Sequence, residues 1–145
     1  MVFQKVKYLL LISISIFITY VIVLIEHYSK IDEEIVTHIN YSGEVDKYGG
    51  KIGLWYAVAV NLMLLLIIIF GVKYTKYWNY PEGLSAIEKE KFIIKMHYFL
   101  AIVAIIISVL FSTMIFKEIQ ISIRLICYVL FLIVSPVAVL YYFKK

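Results

Sequence analysis

The sequence predicts an all-α integral membrane protein, a single bundle of four transmembrane helices with an ordered loop between helices 1 and 2. Three observations predict it. Hydrophobic residues make up 63% of the 145-residue chain and the mean hydropathy is +0.93, more apolar side chain than a soluble domain of this size can hide, so lipid must be much of the solvent. Apolar runs near the ~20 residues that cross a bilayer core occur four times, at approximately 6–25, 52–72, 97–116 and 125–143. Lysines punctuate these runs instead of lining a face, so the formal charge of +4 speaks of topology and not of nucleic acid.

The first run follows Lys5 and Lys7, as a signal peptide would. Its apolar stretch is too long for one, and Glu26-His27-Tyr28-Ser29 offers no small-residue cleavage site, so a retained helix is expected. The loop after it, 26–51, has two readings over its first half. Ile31, Ile35 and Ile39 recur at helical spacing, with Ser29 and Asp32 in capping-box positions. Ile35 to Tyr41 is also rich in β-branched residues, and alternation puts Val36, His38 and Asn40 on one side. A short helix or turn followed by an extended segment is expected, then a turn at Ser42-Gly43 and a flexible hinge at Gly49-Gly50 that delivers Lys51 to the second helix.

Asn61 lies within the second run. An amide in hydrocarbon needs a partner, so Asn61 should face another helix, either as interhelical glue or as the lining of a ligand groove. Trp55 and Tyr56 at one end, with Tyr74, Tyr77 and Trp78 at the other, have the pattern of interfacial belts. In the next loop, 73–96, Pro81 and Gly83 stop the second helix, and Ser85 with Glu88 makes a capping box that starts a new one near Ala86. Nothing breaks that helix before about Phe116. At ~1.5 Å per residue it is some 45 Å long, more than a bilayer core requires, so Glu88-Lys89-Glu90-Lys91 should stand clear of the lipid. Lys117 to Arg124 joins the last two helices as an antiparallel hairpin, and Ser135-Pro136 bends the fourth. Cys127, alone in an apolar run, reads as a small buried hydrophobe.

Charge orients the bundle. The N-terminus, the 73–96 loop and the tail carry nine lysines, against five lysines and arginines in the 26–51 and 117–124 loops. The positive-inside rule puts both termini in the cytoplasm and the 26–51 loop outside.

No nucleophile elbow, phosphate-binding glycine loop, paired-cysteine motif or His-Glu-x-x-His occurs, so no enzyme and no cofactor are expected. His27 and His38, with Glu26, Asp32, Glu33 and Asp46, are zinc-ligand types, but their spacing is irregular and no metal site is assigned. His38 is expected to act in structure or recognition, its ring and the Asn40 amide bonding loop backbone. Lys51 should snorkel or pair with Asp46 or another loop acid, and His97 should sit at the membrane interface.

The order His38, Asn40, Gly43, Asp46, Tyr48, Lys51 resembles the loop pattern P-x-H-x-N-x-x-G-x-x-D of the SdpI-type immunity family, small bacterial membrane proteins that protect a cell against a secreted, membrane-active toxin. Ile35 and Val36 stand where that family has its proline. Asn79-Tyr80-Pro81 is similar to the N-Y-P segment that follows the second helix in many members. The resemblance implies a short four-helix form in the bacterial cytoplasmic membrane, surrounded by membrane lipids and engaging a secreted peptide toxin. In some relatives the toxin-engaged form also holds a cytoplasmic regulator, a transcription repressor. Two other classes stay open: an accessory or regulatory subunit of a membrane transporter or signalling complex, and a metal-dependent membrane hydrolase.

Overall fold

Three of the apolar runs form helices in the computed structural model, which describes residues 2–120. The chain is mostly helical: α1 (Val2–His27), α2 (Gly53–Lys73) and α3 (Ala86–Glu118) are each long and apolar enough to cross a membrane. At ~1.5 Å per residue they reach about 39, 31 and 50 Å. The run expected at 125–143, with Cys127 and Ser135-Pro136, lies outside the described residues.

α3 packs against both other helices. Over its middle turns the buried side is built of small residues, Ala101, Ala104, Ser108 and Ser112, flanked by the buried His97 and by Ile115 and Phe116, while Ile102, Ile106 and Leu110 face outward. This distribution suits helices packed in lipid, where small side chains let backbones approach and large apolar ones cover the outside. The helix begins where the sequence says it should. Ser85 Oγ accepts the Glu88 N–H at 3.4 Å and the Glu88 carboxylate accepts the Ser85 N–H at 2.9 Å, so two otherwise unpaired amides are satisfied reciprocally.

The expectation of an all-α chain is corrected between α1 and α2. Residues Glu34–Ile39 (β1) and Val45–Gly50 (β2) pair as an antiparallel hairpin, with Glu34 opposite Gly50 and Ile39 opposite Val45. The reason is local: Ile35-Val36-Thr37 is a β-branched run that suits a pleated strand, and a glycine turn follows it. The capping-box reading of Ser29 and Asp32 also gives way. A single 3-10 turn, Tyr28–Lys30, follows α1, with no side-chain cap. Gly49 and Gly50 are no hinge either; they end β2, paired with Ile35 and Glu34. A Cβ on Gly49 would lie 2.7 Å from Thr37 Cγ2, so the absent side chain is what lets the strands close.

The hairpin is fastened to the helices by two of the isoleucines that mimic a helical face. Ile31 and Ile35 enter a buried cluster with Tyr20 and Leu24 of α1, Leu54 and Val58 of α2, and Ile115 and Phe116 of α3. Burying such a side chain contributes about 1.5–3 kcal/mol. A second cluster, centred on Leu65, Ile68 and Ala104, holds α2 to α3 further along.

Candidate functional site

The motif residues converge on the hairpin and its exit. At its tip, Gly43 N–H donates to Asn40 O at 3.0 Å and Asn40 N–H donates to Glu44 O at 2.8 Å, closing a short loop. Gly43 adopts φ +84°, a left-handed conformation that costs glycine little and other residues much. The Asn40 side chain braces the same loop: its Oδ1 accepts from the Ser42 and Glu44 amides, both at 2.9 Å, and its Nδ2 donates to the Glu44 carboxylate at 3.3 Å. Asparagine is suited to this position because its short amide can copy a backbone turn.

Along the ladder, His38 pairs with Lys47 and Ile39 with Val45, so Thr37 on β1 and Asp46 on β2 are extra residues, each in an irregularity of register. Such bulges re-aim side chains. Here His38 Nδ1 meets Asp46 Oδ1 at 2.5 Å. The partner of His38 is therefore a carboxylate, not the loop backbone expected from sequence. The Thr37 hydroxyl donates to Lys47 O at 3.1 Å beside the same irregularity. Tyr48, opposite Val36, presents its ring to the outside.

At the base, Lys51 turns inward. Its Nζ meets Glu33 Oε1 at 2.8 Å and Ile31 O at 3.3 Å, and stands 5.1 Å from the centre of the Tyr28 ring. Its backbone N–H donates to Glu33 O at 3.0 Å. The loop acid it chooses is Glu33, because Asp46 is taken by His38 further along the hairpin. The Lys51 side chain is 15% exposed and that of Glu33 85%.

Beneath the hairpin, Asn61 is wholly buried on α2 and its Oδ1 accepts the Tyr20 hydroxyl at 2.6 Å. Asn61 thus faces another helix. Tyr20 was not a candidate from sequence, although a tyrosine deep in an apolar run is a signal in itself, since its hydroxyl must also find a partner.

Asn79, Tyr80 and Pro81 stand at the opposite end of α2 and meet none of the motif residues. The Tyr80 hydroxyl donates to Thr75 O at 2.6 Å and its ring packs edge-on against Phe92. Asn79 and Pro81 are exposed beside it. Trp78 Nε1 donates to Gly71 O at 3.0 Å, near the C-terminus of α2, and the Trp78 ring meets His97 edge-on. His97 is buried against that ring. Among the described residues, no three histidine, cysteine, aspartate or glutamate side chains come together where they could hold a metal ion.

Residues 14–62 match the family model described as "Domain of unknown function (DUF1648)". The matched stretch contains Tyr20, the whole hairpin and Asn61, and stops before Asn79-Tyr80-Pro81. No curated protein and no solved structure matches the chain.

Proposed function

We propose that the chain is an immunity protein of the SdpI type, which captures a secreted, membrane-active peptide on its hairpin and holds it in a harmless state. The observation that carries this reading is the division of labour within the motif. His38, Asn40, Gly43 and Lys51 are spent on shaping the hairpin, while the Glu34 carboxylate and the ring of Tyr48 face outward and the Glu44 carboxylate, bonded to Asn40 Nδ2, stays exposed at the tip. A braced strand pair held on the helices by Ile31 and Ile35 has the character of a recognition element, not of a linker.

Charge supports a cationic ligand. Six acids (Glu26, Asp32, Glu33, Glu34, Glu44, Asp46) against Lys30, Lys47 and Lys51 give the 26–51 segment a formal charge of −3, and Lys51 is turned inward. Such a field attracts a basic peptide before close contact forms. With the hairpin on the outer face of a bacterial cytoplasmic membrane and both termini inside, the peptide meets it first. The Tyr20–Asn61 pair beneath then offers polar groups to a peptide entering the bundle. A cytoplasmic regulator, if engaged, meets the opposite end, around Asn79, Tyr80 and Pro81.

The test is survival of a sensitive cell challenged with candidate secreted peptides. His38→Ala, Asn40→Ala and Asp46→Ala are expected to abolish protection at unchanged membrane abundance, while Glu88→Gln with Glu90→Gln leaves it intact. The reverse pattern would sink the capture reading and favour an accessory subunit working from the other face.

A further inference from the structure

We infer that the cleft between the end of α2 and the start of α3 binds one anionic phospholipid, with its phosphodiester held by Lys73 and Lys89 and an acyl chain lying along Val72, Ile93 and Ile94. This inference rests on the opposite end of the molecule and stands apart from the immunity reading. The cleft has a volume of about 370 Å³, within the range of sites that hold small organic ligands. Its lining falls into two parts. Val72, Ile93 and Ile94 make an apolar wall, and Lys73, Lys89 and Glu90 bring charge to it.

Position argues for lipid. The cleft opens where an apolar helix ends and Tyr74, Tyr77 and Tyr80 gather, the residue type that sits at headgroup level. These rings also hold the two amines. Lys73 Nζ stands 5.1 Å from the Tyr74 ring centre and Lys89 Nζ 4.1 Å from that of Tyr80. Aromatic faces orient an ammonium group without neutralising it. Neither lysine has an ion-pair partner among the described residues, whereas Lys51 at the other end is paired with Glu33. Two ammonium groups against the Glu90 carboxylate leave the cleft net positive, and so complementary to an anion.

A free phosphate would satisfy the lysines and leave the apolar wall unused. A phospholipid satisfies both, since an alkyl chain gains by covering Val72, Ile93 and Ile94 while basic groups between helices at the membrane surface select anionic headgroups.

Native mass spectrometry of the full chain, released from a zwitterionic detergent, tests this with phosphatidylglycerol and phosphatidylcholine of identical acyl chains. One phosphatidylglycerol is expected to stay bound after phosphatidylcholine has been lost. Lys73→Gln with Lys89→Gln should weaken phosphatidylglycerol binding by about five-fold for each lysine. The Lys73→Arg, Lys89→Arg pair should retain it, and Lys47→Gln in the hairpin should change nothing. Millimolar inorganic phosphate should not compete. Equal retention of the two lipids, unchanged binding in the glutamine pair, loss in the arginine pair, or displacement by phosphate would each overturn the assignment.

Discussion

The Tyr20 hydroxyl donates a 2.6 Å hydrogen bond to the Asn61 amide oxygen, joining α1 to α2 in the apolar part of the bundle. The amide nitrogen of Asn61 has no partner among the described residues. Its oxygen therefore carries the whole of the polar compensation seen there. Tyr20→Phe is expected to cost about 1–2 kcal/mol, the scale of leaving a buried acceptor unsatisfied. Asn61→Leu removes the acceptor as well, so the double variant should lose less than the sum of the singles, with a coupling of about 1 kcal/mol. Unfolding in sodium dodecyl sulfate across the four-protein cycle measures it; zero coupling would mean the bond contributes nothing.

Gly49→Ala should loosen the hairpin, because its new methyl meets Thr37 Cγ2, whose hydroxyl is tethered to Lys47 O. The expected cost is about 1–3 kcal/mol. Thr37→Ser deletes the offending methyl and keeps the hydroxyl, so adding it should restore much of the loss. Amide hydrogen exchange across residues 45–50 reads both steps, and an Ala variant as protected as wild type would refute the close approach.

The His38–Asp46 pair shapes the hairpin without metal, on this reading. His38→Ala should raise exchange at residues 38–46, and chelators should leave wild-type function unchanged. Stoichiometric zinc in purified protein, lost on His38→Ala, would instead favour the hydrolase class.

The nine-to-five bias of basic residues predicts that the hairpin lies outside and Ser85 inside. Tyr48 and Ser85 are both exposed and sit at opposite ends of α2. In a Cys127→Ser background, a cysteine at position 48 should react with an impermeant thiol reagent in intact cells, and one at 85 should not. The opposite labelling would turn the protein over and put the hairpin in the cytoplasm.

Ser85→Ala removes the cap on which α3 starts and should cost about 1 kcal/mol. Circular dichroism should show a small loss of helix. Ser85→Asp, a good cap in its own right, should recover it.

The helices were legible because their signals are local. About 20 apolar residues in a row declare a span whatever surrounds them, and Ser85 with Glu88 declares a helix start through bonds made within one turn. The turn at Ser42-Gly43 was legible for the same reason: Gly43 needs only its own φ to define it.

The hairpin was only half legible. Ile31, Ile35 and Ile39 fit a helical face and a β-branched strand alike, and spacing cannot decide between them. The tertiary structure decides, because Ile31 and Ile35 reach the Tyr20, Leu54 and Phe116 cluster from an extended chain, while β2 supplies the hydrogen bonds that strand needs. Gly49-Gly50 misled for a related reason. Glycine marks both mobility and close approach, and only the neighbouring Thr37 shows that the second applies.

What the sequence by itself determined is therefore what short-range physics controls: the apolar spans, the α3 cap, the turn, and the need of Asn61 for a partner. What only the tertiary structure decided are the partners themselves, Tyr20 for Asn61, Asp46 for His38 and Glu33 for Lys51. A buried amide or an inward lysine announces that it must be satisfied, but which group satisfies it depends on how helices and strands far apart in the chain are brought within about 3 Å of one another.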